Sequence, residues 1–592
     1  MKLHRWANWE YNANPIPIPD ASMRIAPLVP ALALVPILLP SAPPAVACGG
    51  FFCEQAPIDQ AAEQIVFRQE GGRITAMVRI LYSGEAERFS WVVPVPDTPE
   101  LALGADASFP ELELATRPQF LLERRGEACE VQTDTAGAGA VSDAAAEGDD
   151  GGVTIEAEEA VGPFDTTVLS SENPDELATW LVDNGYDLSD RGRELIAPYV
   201  EAGMKFVAVK LRNGQAVDTI QPLVMEYTAE RPMIPIRLTA VAAEEDMGVL
   251  VWVVGDARAV PENYLHVVPN YARLNWYAGP QNAYASYQDL ITAAMDEVRD
   301  DGRTGDGQGF ATDFAGRIDA GLLDGLAPSR DRQRQLAAEF SALDATDEDA
   351  AYVAAAVAGA FDEGRDFGLS DPTVRLAVLR EVLPPPEGAN DSLYFDVQAL
   401  RTNFTAEALG SARTALADAI RERELEPLGT TLGLLPEGAY MTRLYTTLSP
   451  EEMTADPTFG YNPDMPDQGL ARRATLETSC EGGRPAWTLT LGEGTGREGE
   501  RVITAEQPVP FAAPAQATAL PAAFLQARTS AGAMPDVLVR EDAALDIGAD
   551  GTVGASNDAD ASDGDGFLGP AGPAALALLS LVALRRRLTR RG

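Results

Sequence analysis

The chain has 592 residues, 46% hydrophobic and 7% aromatic, enough for a large core and for two to four domains. Its formal net charge of −45 argues against nucleic acid as a partner and against adsorption on anionic lipid. Histidine occurs only at His4 and His266, so a Ser-His-Asp triad, a His-rich metal site or Cys-His catalysis would have to use His266. No cofactor, no metal and no catalytic residue is expected.

The first segment, 1–47, reads as an N-terminal extension followed by a signal peptide. Arg24 precedes an apolar run from Ile25 to Pro40, and Ala45-Val46-Ala47 follows with the small-x-small pattern of a cleavage site. Cleavage between Ala47 and Cys48 places the rest of the chain outside the cytoplasm. There are four cysteines, Cys48, Cys53, Cys129 and Cys480. An even count in an exported chain implies disulfides. Cys48 is either lipidated, because Ala45–Cys48 resembles a lipobox, or paired with Cys53. The expectation is Cys48–Cys53 and Cys129–Cys480.

Ile74, Ala76, Val78, Ile80 and Tyr82 alternate with their neighbours at a period of two. With Phe89–Pro96 they predict an antiparallel meander. Residues 131–160 are rich in Asp, Glu, Ala and Gly and read as an acidic flexible insertion. Asn173-Pro174-Asp175-Glu176 predicts a helix start. A second helix carries Leu195, Ile196, Tyr199 and Val200 and ends at Gly203. Strands are expected at Phe206–Leu211, Leu223–Tyr227, Met233–Val241 and Gly248–Gly255. His266, in the apolar run Tyr264–Val268, reads as a packed histidine.

From Ala283 to Glu424 the pattern is Ala-rich and helical. From Leu428 to Pro508 it is β, with a hairpin of Trp487–Leu491 and Arg501–Thr504. The fold class is α+β: an antiparallel β-sheet domain with inserted helices over 48–316, a helical Ala-rich region over 317–425 and a β-rich region over 426–510. Residues 511–566 read as a stalk. The run from Phe567 to Leu584 is long enough as a helix, at about 27 Å, to cross a hydrocarbon core. Arg585, Arg586 and Arg587 open the Arg-rich end, 585–592, and mark the cytoplasmic side. The expected partners are the membrane, through this segment, and an envelope protein or polymer.

Gly494-Thr495-Gly496-Arg497-Glu498-Gly499 matches G-x-G-x-x-G, but strand-like residues follow where a dinucleotide site needs a helix, so it reads as a hairpin loop. Asp558–Gly564 opens like a calcium loop and lacks the closing Glu. Trp276, Tyr277, Tyr284 and Tyr287 are possible groove aromatics, with core packing the alternative.

The junction Cys48–Cys53 combines with the runs Phe89–Pro96, Trp180–Tyr186, Tyr199–Leu211, Pro232–Ala240 and Arg258–Tyr264. Together, over about Cys48 to Gly316, they resemble family 2330 of the bacterial domains of unknown function. The resemblance implies an exported bacterial protein and no assigned active site. The function expected is binding or scaffolding in the cell envelope. The alternative is an extracytoplasmic hydrolase with paired carboxylates, which needs two convergent acids in a cleft.

Overall fold

The computed structural model describes residues 59–83, 89–106, 108–126, 154–186, 188–212, 220–301, 307–319, 380, 383–386, 388–405, 407–408, 421–481, 484–510, 513–530 and 532–555. All of them fall in one compact unit, Val46–Gly592.

The chain begins with β1 (Asp59–Glu70), β2 (Arg73–Ser83), β3 (Ser90–Val95), β4 (Glu100–Leu103), α1 (Ser108–Thr116) and β5 (Gln119–Gly126). Next come β6 (Thr154–Val161), β7 (Phe164–Ser170), α2 (Pro174–Asp183), α3 (Asp190–Glu201), β8 (Lys205–Leu211), β9 (Leu223–Thr228) and α4 (Ile236–Thr239). The middle holds β10 (Ala243–Gly255), β11 (Ala259–Pro261), β12 (Leu265–Pro269), α5 (Pro280–Asp301), β13 (Gly309–Arg317), α6 (Val397–Asn403) and α7 (Glu426–Leu434). Then follow β14 (Tyr440–Leu448), β15 (Phe459–Tyr461), β16 (Ala471–Glu481), β17 (Arg484–Leu491), β18 (Arg501–Ala505), β19 (Ala523–Arg528), β20 (Asp536–Arg540), β21 (Leu545–Ile547) and β22 (Val553–Ala555).

A ten-stranded sheet, ordered β20-β19-β12-β13-β14-β10-β1-β2-β9-β4, carries the fold. Its centre is β10, which pairs in parallel with β1 and antiparallel with β14. The run Gly248–Gly255 is apolar throughout because both faces of β10 are covered. Val249, Val251 and Val253 face a core shared with a four-stranded sheet, β3-β8-β7-β6. Leu250, Trp252 and Val254 face the opposite side, with Phe109 and Leu112 of α1 and Leu428 and Leu434 of α7. Trp252 is fully buried, and its indole N–H donates to Thr116 Oγ1 at 2.9 Å.

The far face of the four-stranded sheet is covered by α2 and α3 through Leu177, Trp180, Leu181, Ile196 and Tyr199. Asn173 caps α2, its side chain accepting from the Asp175 N–H at 2.9 Å. Gly203 follows α3 at φ +73°, a conformation that costs glycine little. At the other end α5 lies between β12 and β13 and a six-stranded sheet, β22-β21-β18-β17-β16-β5.

The fold is α+β, but its sheets are mixed rather than antiparallel: β1/β10, β12/β13, β5/β16 and β18/β21 are parallel pairs. Phe89–Pro96 does not extend the β1–β2 hairpin. As β3 it joins β8 in the four-stranded sheet, where Val92 packs towards the helices and Trp91, Val93 and Val95 towards the large sheet. Met233–Val241, expected as a strand, makes one bridge and then α4, because Pro232 and Pro235 cannot donate to a ladder. Gly309–Arg317, inside the stretch expected to be helical, is β13. A short apolar run does not distinguish a buried strand from a helix by period.

Thr154–Ala160, the end of the expected acidic insertion, belongs to edge strand β6. Residues 523–555 of the expected stalk form β19 to β22, which extend both larger sheets. The sheet order also runs across the boundaries drawn at 316, 426 and 510, since β12, β13, β14 and β19 are neighbours. Most of 131–160 and of 317–425 lies outside the described residues.

Candidate functional site

Strand β1 sets its side chains alternately on the two faces of the large sheet. Ile65 and Phe67 enter the core shared with the four-stranded sheet, while Val66 enters the opposite one. The same alternation carries Glu63 inward. Its register shifts against both neighbours just before this residue, between Gln60 and Ala62 on β10 and between Gln60 and Glu63 on β2. A carboxyl therefore occupies a position that the pattern reserves for an apolar side chain. Glu63 is 6% exposed, and its Oε2 has no hydrogen-bond partner among the described residues.

Glu63 lines a cavity of about 30 Å³ between the two sheets. The floor is Ile65, Phe67, Ala76 and Val78 of the large sheet, and the roof is Trp91 and Val93 of β3. Pro94, Pro96, Met233 and Pro235 close the sides, and all four belong to the runs Phe89–Pro96 and Pro232–Ala240. Pro96 is exposed and Met233, Pro235 and Thr239 are half-buried, so this rim meets solvent. Burial pushes the Glu63 carboxyl up to about 7, because the charged form has lost its water. Tyr227, also on the lining, is raised by burial and stays neutral. A lone carboxyl poised near neutrality can hold a proton, donate one, or act as a counter-ion.

A second, open cleft of about 480 Å³ sits at the β1–β2 turn, with Arg68, Glu70, Asp256 and Tyr461 on its walls. Its two acids are exposed, and Glu70 is paired with Arg68 at 2.6 Å. It has the water and the screening of an ordinary surface.

The four possible groove aromatics pack as core and line neither space. Trp276, Tyr277 and Tyr287 are buried and Tyr284 is half-buried, between α5 and the six-stranded sheet. Phe120 meets Trp276 edge-on at 5.9 Å, and Tyr277 meets Trp487 edge-on at 5.5 Å. The hydroxyls of Tyr284 and Tyr287 serve a buried ionic cluster. Tyr287 donates to Asp313 Oδ1, and Arg443 Nε lies 3.2 Å from Asp313 Oδ2, close as an ion pair but not aligned as a hydrogen bond. Arg443 donates to Tyr284 at 3.1 Å, and Arg472 donates to the Asp313 carbonyl at 2.7 Å. Burial raises the Asp313 carboxyl and Arg443 opposes the rise. Every member holds another, which is the arrangement of a structural core.

His266 is buried, and burial followed by the nearby Arg258 lowers it to about 3, so it stays neutral. The G-x-G-x-x-G segment is the β17–β18 hairpin loop. Glu498 accepts from the Gly494 and Gly496 N–H groups at 3.1 and 3.2 Å, so the loop's own carboxylate occupies the donors a phosphate would use. Among the described residues no group of three His, Cys, Asp or Glu is placed to hold a metal ion. Cys480, on β16, is disulfide-bonded. Cys48, Cys53 and Cys129, the junction Ala47–Cys48, and the tail with Phe567, Leu584, Arg585, Arg586 and Arg587 lie outside the described residues. No described helix is long and apolar enough to cross a membrane.

Glu63 was the residue the sequence reading passed over. Its signal was present: counting the period of two back from Phe67 and Ile65 puts an acid on the apolar face. Neither the curated proteins nor the solved structures gave a match. Residues 42–331, which contain every residue lining the Glu63 cavity, match the model of DUF2330, described as an uncharacterized protein conserved in bacteria.

Proposed function

We propose that this is an extracytoplasmic cell-envelope protein that works by binding, held at the membrane by its C-terminal apolar segment. The observation that carries the binding reading is the Glu63 cavity, a small apolar enclosure with one unsatisfied acid inside the family segment. Hydrolysis by paired carboxylates needs a second acid facing the first, and among the described residues Glu63 is the one carboxylate on that lining. The export reading rests on Arg24, the apolar run and Ala45–Ala47, and the disulfide at Cys480 suits an oxidising compartment.

Fractionation of the native cells with intact-mass analysis under non-reducing conditions tests the location. The expected result is an envelope-bound chain that starts at Cys48 with oxidised cysteines. A cytosolic, full-length, fully reduced chain would overturn it.

A further inference from the structure

We infer that the Glu63 cavity binds a small primary ammonium ion, with the Glu63 carboxylate as its counter-ion. The inference narrows the binding reading above and rests on it. It starts from an orphan: Glu63 is a buried acid on the cavity lining, and its Oε2 has no donor among the described residues. Such a group calls for a partner that brings both a hydrogen bond and positive charge. An anion is repelled, and a neutral apolar molecule leaves the oxygen unsatisfied. A metal ion needs several oxygen ligands, whereas among the described residues the lining offers side-chain oxygens only from Glu63, Tyr227 and Thr239.

An alkylammonium matches the rest of the lining. Its carbons suit Ile65, Val78 and Val93, and the faces of Trp91, Phe67 and Tyr227 border the same space, a surface that favours cations. Size sets the limit. A cavity of about 30 Å³ holds roughly two or three water-sized groups, which fits methylammonium or ethylammonium. Pro94, Pro96 and Pro235 fix the walls through their rigid backbone, while the two methionines on the lining, Met225 and Met233, adapt to the occupant.

The test is calorimetric titration of the full mature protein with ethylammonium chloride at about pH 8, against tetramethylammonium chloride at equal ionic strength. Binding energy per non-hydrogen atom has a ceiling that puts a three-atom ligand at a Kd of about 1 mM or weaker. We expect saturable millimolar binding of ethylammonium and none of tetramethylammonium. Affinity should fall about 30-fold at about pH 5.5, where the carboxyl is mostly protonated and Tyr227 is neutral throughout. Glu63→Gln should lose the binding at least tenfold. Thr239→Phe, which keeps the acid and blocks the rim, should lose it too and decides the case if Glu63→Gln fails to fold. O-phosphoethanolamine is the second arm: if it binds as well, the source is a headgroup, and if ethylammonium binds alone, the source is a free amine. Equal response in wild type and Glu63→Gln, binding retained in Thr239→Phe, or no saturable response beyond salt would overturn the site and leave water as its occupant. The fractionation experiment is independent of all these outcomes, so failure here and failure of the envelope reading are separable.

Discussion

Replacing Glu63 by glutamine should make the protein more stable, by an amount that grows from about pH 4.5 and is complete above about pH 7. The carboxyl titrates near 4.5 in an unfolded chain and at about 7 in the fold. Below 4.5 both states hold a neutral acid, and the group has no pH-dependent effect. As pH rises towards 7 the unfolded chain ionises while the folded one keeps its proton, so stability falls. Above 7 both states are charged and the loss is complete. At about 1.4 kcal/mol for each pH unit between the two values, the total is about 3 kcal/mol. Glutamine keeps the shape and has nothing to ionise. Urea unfolding followed by tryptophan fluorescence should therefore give nearly equal stabilities at about pH 4.5 and a variant more stable by about 3 kcal/mol at about pH 8. A gap of the same size at both pH values, or a variant weaker at pH 8, would show that the carboxylate is satisfied in the fold and would refute the argument.

Three further outcomes follow from the same structure. Asp313→Ala leaves Arg443 buried without its anion and should cost about 3–5 kcal/mol, whereas replacing Asp313 and Arg443 together by apolar residues should cost much less; thermal unfolding of the three proteins checks this. Gly126→Ala places a methyl 1.9 Å from the Thr478 carbonyl oxygen at φ +90°, so it should detach β5 from β16 and cost about 2 kcal/mol or more, read by hydrogen exchange of the β16 amides. β5 runs parallel to β16 with Gly126 opposite Thr478, three residues before Cys129 and two before Cys480 in the sequence. Non-reducing peptide mapping should therefore recover Cys129–Cys480, and Cys480 linked to Cys48 or Cys53 would refute it.

Local features were the legible ones. Asn173-Pro174 announces α2, the run Gly248–Gly255 announces β10, and Gly492–Gly499 announces the hairpin, because each is decided within one turn or one strand. Long-range pairing was not legible. Periodicity reports which face a residue occupies and not which strand lies beside it, so the β1/β10 pair and the departure of β3 to another sheet left no local trace. The aromatics of α5 and the loop before it illustrate the same limit. Trp276, Tyr277, Tyr284 and Tyr287 carry polar tips that suit a groove, and here those of Tyr284 and Tyr287 serve Arg443 and Asp313, which come from distant strands. The candidate site was half legible: the runs Phe89–Pro96 and Pro232–Ala240 were singled out, and the acid they enclose lies on β1, the strand before the one where alternation was counted.

The family match ends at residue 331, yet β10 is hydrogen-bonded along Met247–Gly255 to β14, which begins at Tyr440. Truncation at the family boundary would strip one flank from the apolar run Gly248–Gly255 and leave nine residues of bare ladder. During synthesis the early strands must wait more than a hundred residues for the neighbour that shields them, and in that interval the nascent polypeptide is most exposed to self-association.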